Sequence, residues 1–170
     1  IWSSIELAIN FSVDLQQDNG TIPWSIDSDN QIENDFLLTG CSSILKSIEC
    51  GIAISNILDE TENIKKWKKA YLLLSQAIQG PNGKFDLTKD RKRFSMDWYY
   101  PILSGCLKQH EKLRYIHKIF KDFYVDGIGI KCVIEEPWVT VAETSEFILS
   151  LMCAGSVSYT HLTLPTTLSV

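Results

Sequence analysis

Apolar residues recur at every third or fourth position in three stretches of the chain, residues 5–15, 61–79 and 113–124. Charged and polar side chains fill the positions between them, as in the lysine-rich run at residues 65–69. This spacing is typical of an amphipathic helix with one face in water. We therefore predict three helices that each keep a solvated face.

Three other stretches, residues 36–58, 102–107 and 147–153, are apolar with few charges. A helix that is apolar nearly all round is a buried one, so we expect buried helices there, alternating with the amphipathic helices. Short turns near residues 59–60 and 110–111 connect a buried helix to the next amphipathic one and predict antiparallel neighbours. The long loops that precede the buried helices should then emerge at one end of the molecule.

Each long loop carries a glycine, and an acid stands at the start of the buried helix that follows it. The pairs are Gly20 with Asp35, Gly83 with Asp97, and Gly127 with Glu143. Glycine adopts a positive φ without the penalty of a Cβ atom, as turns after helices require. This internal repeat predicts an all-α fold, an α/α toroid of which the chain forms a partial ring of about three hairpins. A solenoid of helix pairs is the alternative architecture.

Several short stretches resemble a known group of toroid proteins. QGPNGKF, residues 79–85, resembles the Q-x-x-x-G-x-[WF] repeat of terpenoid cyclases, and QQDNG, residues 16–20, is a weaker copy. SMDWYYPILSGCL, residues 95–107, and CVIEEPWVTVAET, residues 132–144, resemble bacterial prenyltransferase-like proteins of the terpenoid cyclase and protein prenyltransferase group. The resemblance implies an enzyme acting on an isoprenoid or lipid-linked substrate. The six-hairpin glycosidases share a similar toroidal plan and are the second comparison.

The chemical motifs of that group are absent from the sequence. It contains neither the D-x-D-D motif of protonating cyclases nor the D-D-x-x-D motif that binds diphosphate and magnesium. No set of Asp, Cys and His matches the zinc site of protein prenyltransferases. We therefore predict no metal site, and the sequence indicates no particular cofactor.

Pro101 fits the first turn of a helix, where its missing N–H costs least. The residue before a proline avoids the α region, so we place Tyr100 near the N-cap. Asp97, Trp98 and Tyr99 then belong to a lead-in segment, which in the toroid lines the mouth of the ring. Because the buried helices of neighbouring hairpins run parallel, we expect their N-terminal ends to share this rim.

We predict a pocket with aromatic walls and carboxylates at this mouth. Asp97 and Glu143 are the candidate catalytic pair, an acid and a base, since glycoside hydrolysis needs two carboxyl groups about 5–10 Å apart. The candidate substrate-binding residues are Trp98, Tyr99, Tyr100, Trp138, Glu136 and Asp35. The rings of the four aromatic residues can stack on a sugar face or an isoprenoid chain, and can stabilise a cation.

The same residues have plainer interpretations. Thr140-x-x-Glu143 matches a capping box, in which Glu143 only satisfies backbone donors, and Asp35 and Asp97 can be helix N-caps. The aromatic side chains can simply fill the barrel. Three functions stay open: an isoprenoid enzyme, a carbohydrate-active hydrolase or lyase, and a non-catalytic helical scaffold that binds a partner.

The amino-acid composition limits the classes of partner that we expect the protein to bind. The net charge of −5 provides no basic surface for nucleic acid. No apolar run reaches the roughly 18 uncharged residues of a membrane span, so we expect no transmembrane segment. The five cysteines form no C-x-x-C pair and favour a reducing, cytoplasmic location. The expected partner is a small-molecule substrate, an isoprenoid or a carbohydrate.

The last stretch, VSYTHLTLPTTLSV at residues 157–170, contains no Asp, Glu, Lys or Arg and breaks the repeat. It resembles the translated adaptor read-through at the ends of truncated environmental reading frames. We expect a non-native tail there and assign residues 1–156 to the toroid domain. The sequence starts at Ile1 inside a helical pattern, so we expect these residues to be an internal fragment of a longer protein.

Overall fold

The computed structural model describes residues 1–80, 84–88 and 92–156. The chain divides into two compact units, the N-terminal unit Ile1–Lys89 and the C-terminal unit Asp90–Val170. The described residues form six helices, and the prediction of an all-α fold is confirmed. The helices are α1 (Trp2–Asp14), α2 (Leu38–Leu58), α3 (Ile64–Gln79), α4 (Met96–Leu103), α5 (Gln109–Asp122) and α6 (Val141–Cys153).

In the N-terminal unit, α2 packs against α1 and α3. Trp67 and Leu74 of α3 and Leu45 and Ile48 of α2 are fully buried, as the helical spacing requires. The indole N–H of Trp67 donates to the side-chain oxygen of Asn10 in α1 over 3.0 Å. A buried polar group is stabilised by such a partner, so this bond ties the largest core residue to the neighbouring helix.

The expectation that α2 is buried nearly all round is wrong within this unit. One face packs on α1 and α3, while Ile57 is 80% exposed and Leu58 50% exposed. Lys46 and Glu49 form an ion pair at 2.8 Å on an exposed part of the helix. The apolar pattern indicates that a helix can be buried. The number of elements that pack on the helix determines how much of its surface is actually buried.

By length and composition alone, α2 is also the one helix in the described ranges that is apolar enough to cross a membrane. Buried residues make up 33% of its most apolar stretch, and core helices pass the same test. One face of α2 contacts α1 and α3. The absence of a transmembrane segment stays a prediction.

In the C-terminal unit, α4 packs against both α5 and α6. Tyr99 and Ile102 of α4, Ile119 of α5, and Phe147 and Leu151 of α6 are fully buried between them. A two-stranded antiparallel hairpin follows α5, with β1 (Tyr124–Val125) paired to β2 (Gly129–Ile130). The sequence predicts only a loop after α5, because two-residue strands carry no measurable alternation.

The predicted start of the second buried helix is wrong. α4 begins at Met96, with Ser95 as its N-cap, and Pro101 lies inside it. Asp97, Trp98 and Tyr99 are therefore helical rather than part of a lead-in. A proline at this position removes one bond, to the carbonyl four residues earlier, and the helix ends two residues later. Tertiary contacts of this turn, described below, outweigh the local preference of the residue before proline.

The segment between β2 and α6 joins the starts of two helices. Cys132 accepts a hydrogen bond from the backbone N–H of Ser95 at 3.0 Å and donates its own to Trp138 at 3.1 Å. Ile134 donates to the carbonyl of Arg93. Ser95 comes directly before α4, and Trp138 comes three residues before the start of α6. The N-terminal ends of these helices therefore lie side by side, as the repeat predicts.

Two of the repeat glycines behave as expected. Gly20 has φ +90° and Gly127 has φ +68°, each in a turn after an amphipathic helix. Gly83 and residues 157–170 lie outside the described residues. The expectations that the three glycines share one end, and that residues 157–170 form a foreign tail, stay predictions.

Candidate functional site

The start of α6 forms half of the predicted capping box. The Thr140 hydroxyl accepts a hydrogen bond from the backbone N–H of Glu143 at 3.2 Å. The reciprocal bond is not made, because the Thr140 N–H donates to the carbonyl of Ile130. Glu143 is only 8% exposed, and its carboxylate lies near enough to the Cys132 thiol to raise the pKa of that thiol. Its side chain therefore lies inside the C-terminal unit.

Two tyrosines of α4 meet a carboxylate of α6 beside this residue. The Tyr99 hydroxyl donates to Oε2 of Glu146 at 2.7 Å, and the Tyr100 hydroxyl donates to Oε1 at 3.2 Å. The two rings are 5.3 Å apart at a tilt of 34°. We call Tyr99, Tyr100, Glu143 and Glu146 the tyrosine–glutamate cluster. Tyr99 is fully buried, whereas Tyr100 and Glu146 are partly exposed.

The cluster keeps its tyrosines protonated. Burial raises the pKa of Tyr99 far above its usual range, and the hydrogen bond to Glu146 raises it further. Burial also raises the pKa of Tyr100, and the negative charges of Glu146 and Glu143 raise it further. The pKa of the Cys132 thiol is raised by burial first and then by its bond to Glu143. These groups are therefore neutral hydrogen-bond donors to carboxylates.

Glu146 is a site residue that sequence analysis missed. It follows Glu143 by three residues, a spacing that places both side chains on one face of a helix. That spacing was the available signal, but the pairing with Tyr99 spans 47 positions along the chain. No local pattern predicts such a contact.

Asp97 lies in the first turn of α4 and is half-buried. It is not the N-cap, since Ser95 holds that position. An acid here is stabilised by the positive end of the helix dipole. Tyr100 follows it by three residues and shares its side of the helix, so Asp97 lies on the helix face that leads towards the cluster.

The side chain of Trp98 packs against α5, and its role in substrate binding stays a prediction. Its ring packs edge-on against Tyr115 of α5 at 5.3 Å, and its indole N–H donates to the carbonyl of Lys92. The ammonium of Lys118 lies 5.4 Å from the ring centre, a cation–π contact with a residue of the protein itself. Packing between α4 and α5 therefore accounts for this side chain.

Two further candidates lie on the segment before α6. Trp138 is 61% exposed, and Glu136 is half-buried. Their roles as substrate-binding residues stay predictions. Asp35 lies in the N-terminal unit and is 1% exposed. It does not cap α2, whose N-cap is Leu37.

Within the ranges described, no group of three His, Cys, Asp or Glu residues is arranged to hold a metal ion. A surface cleft of about 450 Å³ in the N-terminal unit is lined by residues of α1, its following turn, and α3. The amide of Gln16 in this cleft already donates to the carbonyls of Gly20 and Ala70. Lys66 is paired with Asp14 at 2.7 Å, so these groups serve the fold.

One curated glycosidase is similar to the chain over nearly all of the chain's length. The chain is 38% identical over 161 residues, 95% of its length, to the MMP endo-(1,4)-3-O-methyl-alpha-D-mannosidase of Mycolicibacterium hassiacum. It spans 43% of that relative's length. No family model matches the chain. The glycosidase alternative is thus supported better than the prenyltransferase-like one, and an isoprenoid substrate receives no support.

Proposed function

We propose that the chain forms part of a glycoside hydrolase built as an α/α toroid, and that this enzyme cleaves within a chain of α-mannosides. The observation that carries the proposal is the 38% identity to an endo-acting mannosidase over nearly the whole chain. The order of six helices, with short turns after α2 and α4, fits the helical-hairpin plan of a six-hairpin glycosidase.

The chemistry requires two carboxyl groups on either side of a glycosidic bond. Glu143 and Asp97 are the candidates for acid and base. They stand near the N-terminal ends of α6 and α4, which the segment at residues 131–139 holds side by side. Glu146 is committed to two tyrosine hydroxyls, which supports Glu143 as the carboxylate of α6 that reacts.

The test uses the protein encoded by the complete reading frame that contains this sequence. It is incubated with an α-(1,4)-linked 3-O-methylmannose oligosaccharide, and mass spectrometry follows the shortening of the chain. Glu143→Gln keeps the size of the side chain but removes the acid, so we expect hydrolysis to fall at least about a hundredfold. Glu60→Gln, at an exposed position of the N-terminal unit, is the charge-matched control.

Sugar binding is measured separately by calorimetry. Binding without cleavage would favour the non-catalytic scaffold. Neither binding nor cleavage by the wild-type protein would contradict the proposed function. The cytoplasmic location is independent of both results and stays a prediction.

A further inference from the structure

We propose that Glu146 is a positioning residue that fixes the hydroxyl hydrogens of Tyr99 and Tyr100, so that this surface of α4 and α6 offers hydrogen-bond acceptors to the hydroxyl groups of a sugar. The inference rests on the proposed glycoside hydrolase function, which it deepens by naming the sugar groups that the surface selects.

The hydrogen bonds determine the direction of each hydroxyl. An ionised carboxylate accepts hydrogen bonds and donates none, so each tyrosine within bonding distance of Glu146 must act as the donor. A phenol has a single hydrogen, and the bonds of 2.7 and 3.2 Å use both of them. The remaining lone pairs of the two phenol oxygens can only accept.

The surrounding groups have the same polarity. Glu143 lies beside the Cys132 thiol, whose pKa it raises, and a carboxylate offers only acceptors. Tyr100 and Glu146 are partly open to solvent, so this side of the cluster lies at the protein surface. Tyr99 is fully buried and supports the ring of Tyr100 from behind.

A ligand that matches an acceptor surface must bring donors. A sugar hydroxyl donates a hydrogen, whereas a methyl ether has none to give. The cluster should therefore bind unmethylated hydroxyls of a glycan and should not contact its O-methyl groups. A site that hydrogen-bonds one polar group discriminates strongly against an analogue that lacks it.

The first experiment measures the tyrosines directly. In Glu146→Gln, the uncharged amide no longer stabilises the protonated phenol through its charge, so the pKa of Tyr100 should fall relative to wild type. Tyrosine labelled with ¹³C at Cζ reports this titration by NMR, and Tyr100→Phe assigns the resonance. Glu60→Gln should titrate like wild type. An unchanged Tyr100 pKa in Glu146→Gln would overturn the inference, whatever the enzyme's activity.

The second experiment measures sugar affinity by calorimetry in the protein from the complete reading frame. The probes are α-(1,4)-linked mannotetraose and its 3-O-methylated counterpart. Loss of one neutral hydrogen bond corresponds to an affinity lower by about two- to tenfold. We expect this loss for both sugars in Tyr100→Phe and in Glu146→Gln, with Glu60→Gln unchanged. Tyr100→Phe retains the bond between Tyr99 and Glu146, so it remains informative if Glu146→Gln fails to fold.

The outcomes separate the two proposals. If the wild type binds and cleaves sugar while Glu146→Gln and Tyr100→Phe bind as tightly as Glu60→Gln, the inference fails and the proposed function stands. If the wild type neither binds nor cleaves, the proposed function fails, and the selection of sugar hydroxyls fails with it. A lower affinity in both variants together with a lower Tyr100 pKa supports the inference.

Discussion

Replacing Gly20 by alanine tests the structural role of the repeated glycine. Gly20 has φ +90°, and a Cβ at this position would overlap the backbone carbonyl oxygen of Leu73 in α3. The same Cβ would lie 3.0 Å from the Leu73 carbonyl carbon. Since the obstacle is helix backbone, it cannot move aside as a flexible side chain would.

Two costs add in Gly20→Ala. A left-handed conformation costs a residue with a Cβ about 1–2 kcal/mol, and inserting an atom into a packed site costs about 1–3 kcal/mol. Gly127→Ala is the matched control, because Gly127 also has a positive φ, of +68°, and a methyl group added there would meet no atom within 4 Å. We expect a loss of unfolding free energy of about 2–5 kcal/mol for Gly20→Ala and about 1–2 kcal/mol for Gly127→Ala.

Urea denaturation followed by circular dichroism at 222 nm measures both values. The reasoning depends on the contact with α3, which only Gly20 makes. Equal losses in the two variants, within about 0.5 kcal/mol, would show that the clash is relieved at no cost and would refute it. A loss confined to Gly127→Ala would also contradict it.

Three other changes test contacts elsewhere. Gln16→Leu removes two hydrogen bonds to backbone carbonyls and should lower the free energy of unfolding by about 1–3 kcal/mol in urea denaturation. Thr144→Val keeps the side-chain shape but leaves the buried N–H of Ile130, now bonded at 3.0 Å, without an acceptor; thermal denaturation should show a loss of about 1–3 kcal/mol. Burial raises the pKa of the Cys41 thiol from 9.0 to about 11. Because the folded-state pKa lies above the unfolded value, the contribution of the protonated thiol to the free energy of unfolding is complete below pH 9 and is lost as the pH rises through 11. Urea denaturation across this pH range should show a smaller decline in Cys41→Ala than in the wild type.

The number and order of helices could be predicted from the sequence because apolar spacing is a local property. Trp67, Leu74 and Ile78 of the predicted α3 stripe are buried, and its other two members, Ile64 and Tyr71, are half-buried. Coverage of a helix is not local. α2 is apolar enough to be enclosed, yet Ile57 and Leu58 are exposed, because the sequence of one helix does not specify how many neighbours pack on it.

The neighbourhood of the starts of α4 and α6 could be predicted from the repeat, whereas the contacts of the individual side chains could not, and the site itself stays a prediction. Backbone bonds of the segment before α6 bring the starts of α4 and α6 together, and Tyr99 and Tyr100 bind Glu146 of α6. The direction of each side chain depends on where α4 begins. Because the proline rule placed that start too late, it did not predict that the Trp98 ring packs against Tyr115 of α5.

The two interpretations of Glu143, as a helix cap and as a site residue, are compatible because they use different atoms. The cap engages the backbone N–H of Glu143 through the Thr140 hydroxyl. The carboxylate takes no part in that bond and lies beside the Cys132 thiol, whose pKa it raises. A complete capping box would have drawn that carboxylate back to the N–H of Thr140, but this N–H is satisfied by the carbonyl of Ile130. The backbone bond between Thr140 and Ile130 therefore leaves the Glu143 carboxylate outside the cap. Glu143→Gln should lower the rate of sugar hydrolysis while leaving the cap intact.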